Sequence, residues 1–477
     1  MDNPNPSTDF PEDATLAPGQ LPNPSRLEDG SFRTTAFPDS AVEAMRKAAL
    51  NVMEIDSVTL VDSSSAQERL PQSPMIIRGK LRVSAEAAFS ELRPKFEQVG
   101  HTPMLRQEDD GLVALRALPM VFNQKRGIAW GPLILLIITL ISVFLVGVGG
   151  ELYVPFPTAV QYVINDIEPN PEIIPPDRWP SDADFWRAMG IGGLYTLSLL
   201  GILGAHEMGH YLVARRYKVD VSPPFFIPLP IGILGTMGAV IAMREPAPNR
   251  KIQFDIGVAG PLAGLVLAIP IVLVGLSLSE VSTIEEVRQT LPPSLQDQLV
   301  TISEGQSLVY LGAKLLIFGE ILPNGERDVW IHPIAFAGWA GLLVTALNLI
   351  PIGQLDGGHV MYGLVGKQMN RLRVPVIAAL FSMAIIGSIR DTVTALPAEA
   401  FTNPLFQILQ VIANSPLPGW SGWWLWGFLL LFLVRQHAPV LDEITELDPN
   451  RRALGIAMIV IFVLIFTPVP LVINTAL

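Results

Sequence analysis

Two histidines four residues apart with a glutamate between them, in the run His206-Glu207-Met208-Gly209-His210, are the residues of this chain best suited to chemistry. At i and i+4 they project from one face of a helix one turn apart, so both imidazoles can reach a single Zn²⁺ while Glu207 faces a water bound to it. That set of groups suits hydrolysis by an activated water, and it predicts a metallopeptidase core. The flanks, Gly190 to Ala205 on one side and Tyr211 to Ala214 on the other, are apolar and long enough for a membrane helix. Titratable groups in such a setting are costly and are as a rule functional. The plainer alternative, two buried helix histidines with a charge partner, is disfavoured on that ground.

A zinc catalyst needs three protein ligands and one open position, and the histidine pair supplies only two. Cysteine is absent, which excludes thiolates and leaves His, Asp and Glu. Asp356 is the best third candidate. It follows a helix break at Pro351-Ile352-Gly353, falls at a depth comparable to the histidine pair, and is preceded by polar Asn348 in an otherwise apolar stretch. The competing reading of Asp356 is a turn-forming residue before Gly357-Gly358. Asp255 is the runner-up, although its place near Lys251 at a helix start better suits a solvated carboxylate or a helix N-terminal charge. Ligation by His359 would close the site, which fits a structural metal rather than a catalyst, so packing is the better reading of it. His332 falls at an outer helix end, too far away in depth. His101 and His437 fall in soluble or boundary segments and receive no role.

The elements that hold these groups must be largely apolar. Half of the 477 residues are hydrophobic and the mean hydropathy is positive, too apolar for an ordinary soluble domain of this length. The net charge of −12 comes from acids crowded into non-helical segments, and no basic run suggests a nucleic-acid partner. The start, Met1-Asp2-Asn3-Pro4-Asn5-Pro6, has neither the charged-then-apolar pattern of a signal sequence nor the Arg-rich look of a transit peptide. A bacterial-type membrane, plasma or thylakoid, is therefore expected.

The expected fold class is a mainly α polytopic membrane bundle of about seven spans with a re-entrant β-loop, plus a small N-terminal α+β soluble domain. Residues 1–40, rich in Pro, Asp, Ser and Asn, are expected as a disordered tail. Residues 41–125 form a cytoplasmic α+β domain, with strands over Met75–Val83, Pro103–Arg106 and Leu112–Leu118 and a helix from Ser84 through Phe96. Residues 126–477 form the membrane domain, with its core at about 187–368. Spans are expected over Trp130–Val148, Arg187–Ala214, Phe254–Leu278, Ile331–Ile350, Val374–Ile389, Trp420–Val434 and Ala453–Ile473. Lys125 and Arg126 before the first span, and Arg215, Arg216 and Lys218 after the second, place the N-terminal domain in the cytoplasm. His210 and His206 then lie roughly 8 and roughly 14 Å inside the inner boundary at about 1.5 Å per residue. Acid-rich segments at 149–185 and 280–330 are expected outside, and apolar Leu308–Phe318 lies on the membrane or dips into it. Ser222–Met243, broken by prolines and glycines, cannot span and reads as the re-entrant β-loop. Gly257, Gly260 and Gly264 along one face of the third span permit close helix contact.

These residues together resemble the site-2 protease family of intramembrane zinc metalloproteases, over roughly Gly190 to Gln368. The first motif is His206-Glu207-Met208-Gly209-His210. The second, Asn348 to Gly357, matches the family's Asn-x-x-Pro-x-x-x-x-Asp-Gly pattern. The resemblance implies one Zn²⁺ per chain on His206, His210 and Asp356, Glu207 as general base and acid, and Asn348 placing substrate or stabilising an oxyanion. Gly260-Pro261-Leu262-Ala263-Gly264 looks like the family's Gly-Pro helix, with Gly264 where many members have Asn. Gly79-Lys80-Leu81-Arg82 resembles the Gly-Asn-Leu-Arg motif of the plant-plastid and cyanobacterial branch. An ordinary strand with alternating basic groups reads the same four residues equally well.

The apolar spans imply the lipid bilayer as a partner, and the resemblance implies membrane-anchored protein substrates, such as anti-sigma factors, cut in or near their transmembrane segments. A helical substrate must unwind before its carbonyl can reach a metal, and an edge of the 222–243 loop could pair with the unwound strand. A plug over the site is the competing role for that loop. The rivals to an enzyme are a broken-helix transporter, disfavoured because no repeat is evident, and an inactive protease-like scaffold, disfavoured because every expected ligand and Glu207 are present.

Overall fold

The structure, a computed structural model, describes residues 39–60, 75–122, 130–152, 155–171, 173–296, 300–325, 327–397, 400, 402–433 and 440–475. Residues 1–38, nearly all of the expected tail, lie outside these, as do Lys125 and Arg126 before the first apolar helix and Arg435 and His437 after a later one. Two compact units divide the chain, a smaller one drawn from residues before 122 and a larger one made mainly of residues from 122 to the C-terminus.

The smaller unit contains α1 (Asp39–Leu50), β1 (Met53–Leu60), β2 (Met75–Leu81), most of α2 (Ala85–Glu97), the first half of β3 (Thr102–Gln107) and β4 (Val113–Leu118). Its sheet has the order β1-β2-β4-β3, with β2 antiparallel to both neighbours. Met75, Ile77 and Gly79 alternate inward along β2, as a half-buried strand requires. Gly79 has a steric reason: a Cβ there would lie 1.9 Å from the Glu54 carbonyl oxygen, beside the bulge in β1 between Ile55 and Ser57. β3 and β4 join through Glu108-Asp109-Asp110-Gly111, where Gly111 takes φ +82°.

The larger unit continues with α3 (Trp130–Gly149), α4 (Phe156–Asn165), α5 (Asp182–Arg216), β5 (Phe225–Pro228), β6 (Thr236–Val240) and α6 (Arg250–Ser277). There follow β7 (Glu280–Thr283), α7 (Ile284–Thr290), α8 (Pro293–Gln296), β8 (Val300–Glu304), α9 (Leu308–Phe318), β9 (Arg327–Trp330) and α10 (Pro333–Asn348). The chain ends with α11 (Asp356–Val365), α12 (Arg373–Ala395), α13 (Pro404–Ala413), α14 (Trp423–Leu433), α15 (Pro449–Ile465) and β10 (Leu471–Thr475).

Among the described residues, α3, α5, α6 and the run Asp356–Ala395 are long and apolar enough to cross a membrane, while α9, α10, α13 and most of α14 are shorter apolar helices. α5 starts on a capping box: Ser181 Oγ accepts from Asp184 N at 3.1 Å, and the Asp184 carboxylate accepts from Ser181 N. The helix begins before Arg187, where the apolar pattern starts, because this polar cap satisfies its first turn.

α10 is apolar all round and correspondingly central. Ala335, Ala337, Gly338, Trp339, Ala340, Gly341 and Leu342 are all buried, and its small residues let α6 approach to backbone contact. A Cβ on Gly275 of α6 would lie 2.1 Å from Ala335 N.

The last apolar stretch departs from the expected span to Ile473. α15 stops at Ile465, and Leu471–Thr475 pair antiparallel with Val300–Glu304. Pro468 and Pro470 carry no N–H and disfavour helix in the residues before them, so the chain leaves the helix and enters a ribbon. The segment 149–185, expected as loop, carries α4 and a short 3₁₀ turn at Pro176–Arg178.

Candidate metal centre

α5 carries His206 and His210 one turn apart, with their side chains 4% and 7% exposed. α6 makes room for them. A Cβ on Gly260 would lie 2.0 Å from His210 Nε2, and one on Gly264 would lie 3.2 Å from His206 Nδ1. The glycines thus face the two rings. The ring of His210 is fixed by a backbone group, since its Nδ1 lies 2.6 Å from the Ile256 carbonyl oxygen. A carbonyl only accepts, so Nδ1 carries the proton and Nε2 turns inward with its lone pair.

Asp356 reaches the same point from a different helix. After Asn348 the chain turns through Leu349–Leu355, with Gly353 at φ +57°, and Asp356 opens α11. Gly357 and Gly358 allow the first turn of α11 to fold back on that link. A Cβ on Gly357 would lie 2.0 Å from Leu349 O, and one on Gly358 would lie 2.4 Å from Gly353 O. The Asp-Gly-Gly sequence is therefore a packing device that sets the carboxylate at the helix start.

The resulting distances are short. His206 Nε2 lies 3.1 Å from Asp356 Oδ2, His210 Nε2 lies 3.3 Å from Asp356 Oδ1, and the two Nε2 atoms are 3.2 Å apart. Ligands about 2.0–2.1 Å from a tetrahedral ion stand about 3.3–3.4 Å from one another, so these separations fit one Zn²⁺. One nitrogen or carboxylate oxygen from each residue is a zinc-type donor set that leaves a fourth position open.

Glu207 is buried beside this group, and the backbone of Ile241, the residue after β6, hydrogen-bonds its carboxylate. Asn348 Nδ2 lies 3.3 Å from His206 Nε2. All five candidate residues named from the sequence therefore gather at one place.

The others lie elsewhere or are engaged. Asp255 is held by a two-pronged pair with Arg451, Nε to Oδ1 and Nη2 to Oδ2 both at 2.7 Å, and accepts from the Tyr217 hydroxyl. It stands outside the group of mutually close donors found among the described residues, and of the two other readings, a solvated carboxylate or a helix N-terminal charge, the pairing with Arg451 sets aside the first. His359 packs its Cβ against Gly257 and is outside the group of mutually close donors found among the described residues. His332 caps the opposite end of α10, accepting from Ile334 N. Two groups that sequence reasoning did not single out are the Ile256 carbonyl and the Ile241 amide. Both are backbone groups, which residue identity does not mark.

The β5–β6 hairpin lies against α3 and α5. Phe225–Pro228 pair with Thr236–Val240, Phe226 enters the core, and Ser142 of α3 donates to Gly235 O at 2.6 Å. Gly235 takes φ +74°, and a Cβ there would lie 2.7 Å from Val143 Cα.

Residues 194–388 match the family model described as "Peptidase family M50". The chain is 32% identical over 348 residues to "Probable zinc metalloprotease EGY1, chloroplastic" of Arabidopsis thaliana, which covers 71% of this chain and 52% of the relative. It is 31% identical over 346 residues to the protein of the same name from Oryza sativa subsp. japonica, covering 71% and 50%. With "Probable zinc metalloprotease EGY2, chloroplastic" of Oryza sativa subsp. indica it shares 29% identity, covering 58% and 43%. The chain spans about half the length of the curated relatives it matches. No solved structure matches it.

Proposed function

Because the chain belongs to peptidase family M50, the site-2 protease family, we propose that it is an intramembrane zinc metalloprotease that cuts membrane-anchored proteins in or near their transmembrane segments. The observation that carries this reading is the grouping of His206, His210 and Asp356 at tetrahedral-edge distances, with Glu207 adjacent, inside an apolar bundle. In this proposal His206, His210 and Asp356 hold Zn²⁺, Glu207 is the general base and acid, and Asn348 positions the substrate. Bound there, Zn²⁺ would acidify a water molecule and polarise the scissile carbonyl.

The rest falls to the chain. Glu207 takes a proton from the attacking water and returns it to the departing amine, and the Ile241 hydrogen bond orients it for both transfers. Asn348 offers an amide N–H where negative charge grows on the carbonyl oxygen. Ile256 keeps His210 in the tautomer that presents Nε2. β6 lies next to Glu207 through Ile241 and, among the described residues, has one strand edge without a ladder partner, so an unwound substrate segment can pair along it.

We further propose a bundle of about seven spans, with α10, α14 and α15 crossing beside the four long apolar runs. It sits in a bacterial-type plasma or thylakoid membrane with residues 41–125 as a cytoplasmic domain. The chloroplastic address in the names of the plant relatives supports the thylakoid option. The substrate class is a membrane-anchored regulator of the anti-sigma-factor type, released by regulated proteolysis.

The test is direct. Full-length protein purified in detergent is assayed for bound zinc and for cleavage of a model single-span protein, alongside Glu207→Gln. One zinc per chain in both and cleavage by the wild type alone is expected. Equal cleavage by both proteins overturns the proposal.

A further inference from the structure

A cavity of about 960 Å³ lies at the end of the bundle remote from the metal centre. α10 runs between the two, with Pro333 on the cavity wall and Asn348 beside His206, a helix distance of about 22 Å at 1.5 Å per residue.

Two β-ribbons build much of the wall. β7 pairs with β9 and β8 with β10, and Thr283, Ser303 and Val472 line the space. Among the described residues both ribbons are two-stranded, so each strand has one edge without a neighbouring strand, although on β9 Arg327 already pairs with Asn324 and Val329 N donates to Asp328 Oδ1. Gln306 adds an independent observation. Its Nε2 donates to Glu304 O at 3.0 Å, while its Oε1 is buried on the wall without a partner. A buried acceptor of this kind calls for a donor from whatever fills the space.

The basic groups at this end are already engaged, Arg327 with Glu320 among them, which leaves no cation for an anionic ligand, while Glu151 lines the cavity as well. Lys314, fully buried on α9, lies 2.9 Å from Glu304 Oε1 and 3.2 Å from Asp328 Oδ1, and so ties β8 to β9. Arg390 donates to the carbonyl oxygens of Ala413, Ser415 and Leu417. What remains is apolar surface, strand edges, the Glu151 carboxylate and the Gln306 acceptor. That combination suits a polypeptide backbone, whose N–H and C=O groups need partners, better than a small apolar molecule.

The β5–β6 hairpin links the cavity to the catalytic group. Its tip residue Ile233 lines the cavity, Tyr195 on the same wall donates to Leu234 O at 3.4 Å, and its other end places Ile241 at Glu207. We propose that the cavity receives, as an extended strand, the segment that adjoins a substrate's transmembrane helix on the side away from the metal. The helix beyond that segment is thereby led along the hairpin. Assigning the segment to a substrate rests on the proteolytic function proposed above, whereas the affinity of the cavity for extended peptide does not.

Binding of a fluorescein-labelled ten-residue Val/Thr-rich peptide to the full-length, zinc-loaded protein in detergent, read by anisotropy, tests the site. Saturable binding is expected. It should weaken at least tenfold when alternate peptide residues are Pro, which removes N–H groups, and roughly fivefold in Gln306→Leu. Ile284→Trp and Val472→Trp, at wall positions 50% and 41% exposed in the native chain, should fill the space and weaken binding at least tenfold without shifting the unfolding midpoint. No saturable binding to the wild type, equal binding of the Pro peptide, or equal binding by both Trp variants each overturns the proposal. Placed beside the span of a model substrate, the same segment should raise kcat/KM about tenfold over a Gly-Ser segment, and equal rates overturn its assignment to the substrate. Intact peptide binding with no cleavage of any substrate strikes the proteolytic reading and supports the cavity's ligand class.

Discussion

His210 Nδ1 sits 2.6 Å from the carbonyl oxygen of Ile256, one helix reading the orientation of a ring carried by its neighbour. The contact exists because α6 presents no side chain at Gly260, where a Cβ would meet His210 Nε2 at 2.0 Å. Gly260→Ala should therefore rotate the ring away and weaken zinc binding by about 10–100-fold, the usual effect of disturbing a ligand's support. Chelator competition measures this. Gly201→Ala on α5, where a Cβ meets nothing within 4 Å, should leave zinc affinity unchanged.

Asn348 is expected to separate chemistry from metal binding. Asn348→Ala should lower kcat by about 10²–10³, the range for losing one donor to a developing oxyanion, with zinc content and KM held. Zinc loss in parallel with activity would instead make Asn348 a structural support of His206.

Removing the metal should leave the fold standing. The bundle core, with Trp339, Phe254, Tyr195 and Leu199 buried around α5, α6 and α10, is apolar and does not depend on the three ligands. Dialysis against a chelator is expected to abolish cleavage, preserve the helical circular dichroism and lower the thermal midpoint. Added zinc should restore both, because a ligand bound only by the folded state stabilises it by RT ln(1 + [L]/Kd).

Proline substitution along the hairpin distinguishes a substrate-pairing strand from a plug. Pro at Val240, which is half exposed at the end of β6, removes an N–H and is expected to raise KM about tenfold while zinc content stays at one per chain. An unchanged KM with lowered kcat would favour the plug.

Arg451 clamps Asp255 through two bonds of 2.7 Å, joining the start of α15 to the start of α6. Arg451→Leu should cost about 1.5–3 kcal/mol, as for hydrogen bonds to charged groups, read as a fall in midpoint in detergent. Zinc stoichiometry should not change.

What the sequence made legible follows from what side chains encode. His206-Glu207-x-x-His210 fixes a helical face, and Asn348 and Asp356 stand out because polar groups in apolar stretches are conspicuous; the structure brings all five together. Backbone partners such as Ile256 O and Ile241 N–H leave no such mark. β1 escaped notice because its inward row, Met53, Ile55 and Ser57, ends on a polar residue between exposed Glu54 and Asp56 and an exposed Val58, and only the crowding at Gly79 reveals its neighbour. The helix-to-strand change after Ile465 was masked by uniform hydrophobicity, which does not separate a helix from a buried strand over so few residues. Pro468 and Pro470 were the available signal.

His206 on α5 and Asp356 on α11 are separated by 150 positions, and that gap orders events in time. A ribosome that has delivered both histidines has made a chain with two ligands and Glu207, yet no complete site. Hydrolytic competence waits until the Asp-Gly-Gly turn has emerged and docked against the Leu349–Leu355 link. On the proteolytic reading proposed above, a chain inserted piecemeal into a membrane crowded with other helices is thus harmless to them while it is being built.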